Sequence, residues 1–314
     1  MKRLLALLTI GGVPLWGAFA KVGQAGAKFL SILPDPKAVG MGETYVAVAS
    51  DPLTVFINPA GVANIQKKGF AAAVAPWWVD TYVGGMSVIL PGKAGNYAFF
   101  MSYLNSSGFQ EWRLTESGDI EKGGEFSYTG MQLGGTYARY FTDKFAAGVS
   151  VKGVYEGYGP YSKAWTFATD VGTYYKTGFH DLVIGMAFQH FGPDLKPSGT
   201  FVRYSYESGE IQTDSTEFSP YPLPLIFRVG MAMSLVKSKD FYLKGALEVT
   251  HPNDNVETYA FGFEYGLADL LFLRAGYKFG LDQGGLSAGF GLKMAKVSFD
   301  YSFSDMEELP DVHR

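Results

Sequence analysis

The chain has 314 residues, a formal net charge of −4 and no cysteine, and it is rich in glycine (40), phenylalanine (25) and tyrosine (20). Charged residues make up 18% of the sequence, whereas a soluble domain typically carries about 25%. The missing cysteines exclude disulfides, thiolate metal sites and a cysteine nucleophile. The basic residues are scattered, with no cluster beyond Lys67-Lys68, so nothing predicts a nucleic-acid partner.

The first twenty residues have the pattern of a secretory signal peptide. A basic start, Met1-Lys2-Arg3, precedes a mostly apolar run that ends at Trp16, and Ala18-Phe19-Ala20 forms a cleavage signal. The alternative is a short apolar helix at the N-terminus. No later run approaches the roughly 18 to 20 apolar residues of a membrane-spanning helix. We therefore expect residues 1–20 to direct export and the remainder to be either soluble or a β-barrel.

Residues 21–66 are predicted to form a plug, or hatch, that contains short helices. The segment holds two pairs, Asp51-Pro52 and Asn58-Pro59. Asp and Asn are good helix N-caps and proline suits the first helical position, so each pair predicts a helix start. The plug residues singled out in this segment are Met41, Gly42, Asp51, Asn58, Pro59, Ala60 and Gly61.

Residues 67–314 alternate with a period of two, which indicates β-strands. Between Leu271 and Phe279, for example, large apolar residues alternate with a face that contains Arg274, Gly276 and Lys278. Sandwiches and barrels both alternate, but a second face of small residues and sparse charges favours a narrow, partly filled lumen. Strands of about ten residues are long enough to cross a membrane when tilted. The sequence therefore predicts an all-β fold, a transmembrane antiparallel β-barrel.

Thirteen strands can be assigned, and short turns alternate with longer links. The rim with short turns is periplasmic in outer-membrane barrels. Counting back from this alternation of short turns and longer links, we expect the plug to begin at the periplasmic side. Bacterial single-chain barrels have an even number of strands, so fourteen are expected. Either the segment 200–207 holds an overlooked strand, or a closing strand is missing after His313-Arg314.

Several ordered segments resemble the PorV/PorQ family of outer-membrane proteins. They are Gly26–Leu30, Met41-Gly42, Ala47–Asp51, Asn58–Gly61, Pro222–Leu225, Arg228–Gly230, Leu273–Lys278, Gly285–Gly291 and Asp300–Phe303. The resemblance implies a fourteen-stranded barrel with an N-terminal hatch, similar to the FadL fatty-acid transporters. It also implies a role in type IX secretion, in which PorV-like barrels bind cargo proteins beside the translocon.

No motif for enzyme chemistry is present, and we predict neither catalytic residues nor a cofactor or metal site. His180, His190, His251 and His313 show no metal-ligand spacing and are expected in turns or at a rim. The turn from His251 to Glu257 could loosely bind calcium, but it lacks the spacing of an EF-hand loop. The charged residues predicted to face the lumen are Lys152, Glu156, Arg228, Lys244, Glu248, Glu264, Arg274, Lys278 and Lys293. They either form a selective pathway or pair with each other to fix the hatch and the strands.

Two long links, predicted at Ser106–Glu125 and Gly192–Pro222, combine acidic and aromatic residues, a composition that suits protein contacts. The candidate contact residues are Phe109, Trp112, Tyr204 and Tyr206. The alternative is a solvated rim.

We expect the barrel to lie in the cell outer membrane, in contact with outer-membrane lipid, and we consider three functions. The first is a PorV-like accessory of protein secretion and surface attachment, which binds a translocon or secreted cargo. The alternatives are a FadL-like passive transporter of a hydrophobic small molecule and a structural barrel in a surface assembly. A transporter should have an apolar pocket beside the hatch.

Overall fold

A computed structural model describes residues 22–49, 51–78, 80–115, 118–207, 210–281, 284–306 and 310–314. The predicted signal peptide lies outside these residues. Within them, none of the helices is long and apolar enough to cross a membrane.

The described residues form one antiparallel sheet of fourteen strands, in which each strand pairs with its neighbour in the chain except where a separate hairpin intervenes. The strands before the hairpin are β1 (Gly69–Pro76), β2 (Thr81–Pro91), β3 (Asn96–Leu114), β4 (Ile120–Tyr140), β5 (Phe145–Tyr158), β6 (Ser162–Lys176) and β7 (Val183–Phe191). The hairpin consists of β8 (Thr200–Glu207) and β9 (Glu210–Glu217). The sheet continues with β10 (Ile226–Lys237), β11 (Phe241–Pro252), β12 (Thr258–Leu267), β13 (Leu271–Phe279), β14 (Leu286–Met294), β15 (Val297–Ser304) and β16 (Val312–His313).

The sheet curls into a nearly closed barrel, as the alternating sequence predicts. The short last strand, β16, pairs with β15. The same segment lies beside β1, where the Trp78 indole donates a hydrogen bond to the carbonyl of Pro310 at 2.8 Å. The fourteenth strand of the described sheet thus has only two residues paired with β15, and the absence of a longer closing strand stays a prediction. The segment 200–207 is a strand, but it belongs to the hairpin and not to the barrel.

The thirteen predicted strands match β1–β7 and β10–β15, with differences at their ends. The largest difference is at β3 and β4, which continue as a ladder to Leu114 and Ile120, where the sequence suggested a loop over 106–125. This extension carries polar residues on both faces, so it lacks the alternation that marks the other strands. The loop interpretation of this segment is wrong.

The barrel has two different rims. Tight turns at 92–95, 141–144, 177–182, 238–240, 268–270 and 295–296 form the short-turn rim, and the β3–β4 extension and the link 192–225 lie at the long-loop rim. Between the rims, the outward side chains are large and exposed, as at Leu133, Trp165 and Phe167. The inward side chains of the same strands are buried, because the segment 22–66 fills the lumen.

Candidate functional site: the hatch and the barrel lumen

The hatch crosses the whole lumen from one rim to the other. Near its start, the Gly23 amide donates to the carbonyl of Asp254 at 3.2 Å, and the Lys28 ammonium lies 2.7 Å from the Asp254 carboxylate, both at the long-loop rim. Near its end, the Asn96 side chain at the short-turn rim donates to the carbonyls of Val62 and Ile65 at 2.9 and 2.8 Å. The prediction that the plug begins at the short-turn side is wrong, because the chain enters at the opposite rim and runs through the barrel to reach β1.

The hatch is built from one α-helical turn, α1 (Pro36–Gly40), and three 3-10 helices at Lys28–Ser31, Pro52–Phe56 and Pro59–Asn64. The two predicted N-caps are confirmed. An Asp51 carboxylate oxygen accepts from the Leu53 amide at 2.8 Å, and the Asn58 side-chain oxygen accepts from the Ala60 amide at 3.0 Å.

The other end of the Asn58 side chain ties the hatch to the wall. Its amide nitrogen donates to the carbonyl of Val46 at 2.8 Å and to that of Thr173 on β6 at 3.0 Å. Gly61 cannot carry a side chain, since a Cβ there would lie 2.6 Å from the Cβ of Ala49. Met41 and Ala60 are completely buried, so the plug residues are packing and capping residues.

Inward-facing glycines let the hatch backbone lie directly against the wall. At Gly148 on β5, an added Cβ would stand 2.6 Å from the carbonyl of Pro59. At Gly262 and Gly276, an added Cβ would overlap the backbone of Met41. Real Cβ atoms essentially never approach other heavy atoms so closely. The wall positions of this kind are Gly148, Gly185, Gly262 and Gly276, whereas Gly172 and Gly230 face hatch side chains, those of Asn58 and Val46.

A buried ion pair on β10 and β11 holds the middle of the hatch. The Arg228 guanidinium donates to one oxygen of Glu248 at 3.0 Å, and both side chains are almost fully buried. The second Glu248 oxygen accepts from the backbone amides of Tyr45 and Val46, each at 2.9 Å. A carboxylate is well suited to this place, because it neutralises the arginine and accepts two otherwise buried N–H groups.

A second charge cluster lies nearer the short-turn rim. Arg274 donates to Glu264 and to Asp300, each at 2.8 Å. From the hatch, the Lys37 ammonium lies 3.6 Å from Asp300 and 3.4 Å from Asp51. Asp51 thus caps a helix and also lies in an ion network that joins hatch and wall, a second contact that the sequence did not indicate.

A third cluster contains a histidine that was expected at a rim. The Lys152 ammonium lies 2.7 Å from an Asp170 oxygen and 2.7 Å from Nδ1 of His190. The backbone amide of His190 donates to the other Asp170 oxygen at 2.7 Å. All three side chains are buried, so the rim prediction is wrong for His190. Its place at the inner side of β7 brings its ring into the lumen.

Glu156 is buried beneath the long-loop rim and is surrounded by tyrosines. Its carboxylate accepts hydrogen bonds from Tyr128 at 2.6 Å and from Tyr221 at 2.5 Å. Tyr221 belongs to the link 192–225 and makes an isolated bridge with Leu195. Its ring also occupies the space that a side chain at Gly26 would need. This cluster joins the wall, the long link and the start of the hatch.

The remaining predicted lumen lysines lie closer to the barrel mouths. Lys278 forms a 2.6 Å ion pair with Glu43 of the hatch. Lys244 is 4.0 Å from Glu264, and Lys293 is 41% exposed at the short-turn rim, where it pairs with Asp269. Lys293 is therefore a rim residue and not part of the closed lumen.

Glu43 stands out among the hatch residues for both its backbone and its charge. Burial alone raises the pKa of its carboxyl, but the charges of Lys278 and Arg228 outweigh this and hold the pKa at about 2. Its backbone has a φ of 65°, and that of the preceding Gly42 is 67°. The left-handed region is unfavourable for a glutamate. The Gly42 amide is held by the Ser287 hydroxyl at 2.9 Å.

A cavity of about 280 Å³ lies on the long-loop side of this pair, close to where β15, β16 and β1 meet. Its apolar lining comes from the hatch, the wall and the link between β13 and β14 at residue 281, and its polar lining includes Glu43, Lys278 and Asp305. The apolar side chains are Val39, Trp78, Leu281, Leu286 and Met306. A second cavity, of about 440 Å³, opens at the short-turn rim between the hatch residues Ala47 and Val48 and the ends of β6 and β10.

The candidate contact residues lie on hairpins that extend the long-loop rim. Phe109 stacks on Phe126 across the β3–β4 ladder with ring centroids 5.5 Å apart, and Trp112 is 64% exposed. Tyr204 and Tyr206 lie on β8, and their side chains are outside the described part of the chain. In the turn from His251 to Glu257, His251 pairs with Glu257 at 3.0 Å, while Asp254 pairs with Lys28.

The barrel shares its fold with solved hydrocarbon channels. The CymD monoaromatic hydrocarbon channel superposes with a TM-score of 0.55 at 14% identity and covers 88% of this chain and 94% of its own. The Pseudomonas putida toluene transporter TodX gives 0.52 at 13% identity, with 88% and 94% covered. A Pseudomonas aeruginosa FadL homologue gives 0.52 at 12% identity, with 86% and 89% covered. At these identities the likeness establishes the fold alone.

No protein-family model and no curated protein sequence matches the chain. The structure supplies several lumen residues that were not singled out from the sequence, among them Asp170, Gln189, Asp300, Glu43 and Ser287. Strand alternation places Asp170 and Asp300 on inward faces, so that signal was present. Ser287 likewise lies on the inward face of β14, whereas Glu43 carries no such signal, because its contacts depend on how the hatch is placed against β13 and β14.

Proposed function

We propose that this chain is an outer-membrane channel that admits small hydrophobic molecules. The observation that carries this proposal is a cavity next to the hatch with a partly apolar lining, in a barrel whose fold is shared with solved hydrocarbon channels. The exposed apolar side chains between the two rims suit contact with lipid. The function is binding and passage, without chemical change.

The size of the cavity supports a small ligand. Drug-sized ligands occupy pockets of about 300–1,000 Å³, and an apolar cavity of about 150 Å³ can bind benzene. A cavity of about 280 Å³ suits a one-ring or two-ring hydrocarbon. The Trp78 ring and the side chains of Leu281 and Leu286 supply the apolar contacts.

The part of the hatch below this cavity is the best candidate for a moving gate. The Gly42 amide donates a hydrogen bond to the Ser287 hydroxyl, and Glu43 forms an ion pair with Lys278. The left-handed backbone of Glu43 stores strain, which a change of conformation would release. The segment Pro59–Asn64 has no such strained residue, and the side chains of Asn58 and Asn96 hold it by hydrogen bonds. We infer that a ligand displaces Gly42 and Glu43 and leaves the rest of the hatch in place.

Uptake by whole cells with an intact outer membrane tests this function. Cells that lack hydrocarbon channels and express the protein should take up radiolabelled toluene several-fold faster than vector-only cells. Leu281→Trp, which fills the cavity, should remove most of this gain. Leu267→Trp, an exposed leucine near the opposite rim, is the matched control and should leave uptake unchanged. Uptake equal to that of vector-only cells, with the folded barrel in the outer membrane, would refute the proposal.

The PorV-like secretion role stays a prediction, as does a structural role in a surface assembly. The exposed Trp112 on the β3–β4 extension suits a protein contact. Purification of the barrel in mild detergent discriminates among the functions. Recovery of a translocon or of cargo domains would favour secretion, whereas bound hydrocarbon without a protein partner would favour the channel.

A further inference from the structure

The two rims carry opposite charge. Several exposed lysines in or beside the turns of the short-turn rim have no carboxylate partner within ion-pair distance among the described residues. They define a lysine collar, which comprises Lys67, Lys68, Lys93, Lys144, Lys239 and Lys296. Of the acidic residues at this rim, Asp181 and Asp269 are already paired with Lys237 and Lys293, and Asp143 and Asp240 are exposed beside collar lysines. The opposite rim carries an excess of exposed carboxylates over the exposed lysines Lys122, Lys163 and Lys196. These carboxylates are Asp119, Glu121, Glu125, Asp194, Glu217 and Glu257.

The collar lies at the edge of the apolar outer surface. Lys144 stands between Phe141, which is 57% exposed, and Phe145. Lys296 stands between Met294 and Val297, which are 57% and 54% exposed. An ammonium group in this position can place its carbon stem along the apolar surface and its charge at the level of lipid headgroups.

We propose that the lysine collar binds the phosphate headgroups of anionic phospholipid in the leaflet next to the short-turn rim. The proposal rests on the membrane location that belongs to the proposed function. Each lysine close to an anionic membrane surface adds a favourable interaction, and several together give a marked preference for anionic over zwitterionic lipid. In an outer-membrane barrel, the short turns face the periplasm, so the ligand is a phospholipid of the inner leaflet.

The charge distribution favours this source of phosphate over lipid A of the outer leaflet. The long-loop rim, which would face lipid A, is lined by carboxylates that repel phosphate. A soluble polyanion would use the same charges, but it would gain nothing from the exposed Phe141 and Met294 beside them. The collar therefore combines the charge and the apolar neighbours that a lipid headgroup and its acyl chains require.

Native mass spectrometry of the detergent-purified barrel tests the proposal. The wild-type protein, offered equal amounts of phosphatidylglycerol and phosphatidylcholine, should retain phosphatidylglycerol with a preference of roughly tenfold that falls as salt rises. A variant with Lys93, Lys144, Lys239 and Lys296 changed to glutamine should lose most of this preference. A control with Lys122, Lys163 and Lys196 of the long-loop rim changed to glutamine should keep it.

The outcomes separate the possibilities. A folded wild-type barrel without preference for phosphatidylglycerol overturns the proposal, and so does a preference that survives the collar variant or is lost equally in the control. Retention of lipid A that depends on the collar would show that the source of phosphate is wrong. These measurements do not involve uptake. The lipid-binding proposal can therefore be refuted while the toluene assay supports the channel, and the channel can be refuted while the lipid preference is observed.

Discussion

Gly148→Ala tests whether the hatch is sealed against the wall by close backbone contact. The glycine lies on the inner face of β5, and an added Cβ would stand 2.6 Å from the carbonyl carbon and oxygen of Pro59. Carbon atoms in favourable contact are about 3.5–4.0 Å apart. The segment around Pro59 must therefore retreat by about 1 Å, or β5 must bend outward by a similar distance.

The energetic effect follows from the contacts that this movement disturbs. Overpacking in a close-packed interior typically costs about 1–3 kcal/mol. A shift of Pro59 also lengthens the bonds of the neighbouring Asn58 side chain to the Ala60 amide and to the carbonyl of Thr173, each worth about 1 kcal/mol. We expect Gly148→Ala to destabilise the folded barrel by about 2–4 kcal/mol.

The same strand offers a matched control. Gly153 faces outward, and an added Cβ there would have no heavy atom within 4 Å, so Gly153→Ala should be neutral or slightly stabilising. Thermal unfolding in detergent measures the difference, and hydrogen exchange of the peptide 54–66 shows whether the hatch itself has loosened. Equal melting temperatures for the two variants, or unchanged exchange in that peptide, would contradict the sealed-hatch argument.

Three further substitutions test the contacts of the hatch and the long link. Glu248→Gln should lower the free energy of unfolding by about 3–5 kcal/mol, because it leaves a buried guanidinium unpaired, whereas exposed Glu125→Gln should stay within about 0.5 kcal/mol in urea titrations. The pKa of Glu43 is held at about 2 instead of 4.5, so its ionised form stabilises the folded barrel above pH 4.5. This contribution, about 2–3 kcal/mol, should disappear as the pH falls towards 2, and the melting temperature should fall with it. Lys278→Met should make the melting temperature less dependent on pH over this range. Tyr221→Phe removes a hydrogen bond that anchors the link 192–225, so limited trypsin digestion of that link should be several-fold faster; an unchanged rate would show that other contacts fix it.

The strands of the barrel could be predicted because one physical rule governs them. Each strand has an exposed outer side rich in apolar residues and a side that faces the lumen, so side-chain character alternates along the sequence with a period of two. The helix caps at Asp51 and Asn58 were equally accessible, because capping is a local property of neighbouring residues. The hydrogen bonds that these residues make to their own helices are those expected from the sequence.

Contacts between distant segments could not be predicted in the same way. That Lys152 meets both Asp170 and His190 depends on the register of β5, β6 and β7, and no spacing along the chain expresses it. His190 also has a φ of 65°, a local departure from the regular strand that changes where its ring points. Simple alternation therefore does not predict the position of the His190 ring, which was expected at a rim and lies in the lumen.

The glycines on the lumen face are explained by the local sequence pattern and by contacts between distant segments together. Alternation shows that Gly148, Gly262 and Gly276 point inward, but on sequence grounds they suit an open channel as well as a filled one. The structure shows the filled barrel, since each of the three glycines lies where the hatch backbone would overlap a side chain. A barrel whose lumen was filled only by its own side chains would need larger residues at these positions. The small lumen-facing residues are thus a consequence of the hatch, and in the proposed channel a ligand would pass by moving hatch residues rather than by using space left inside the wall.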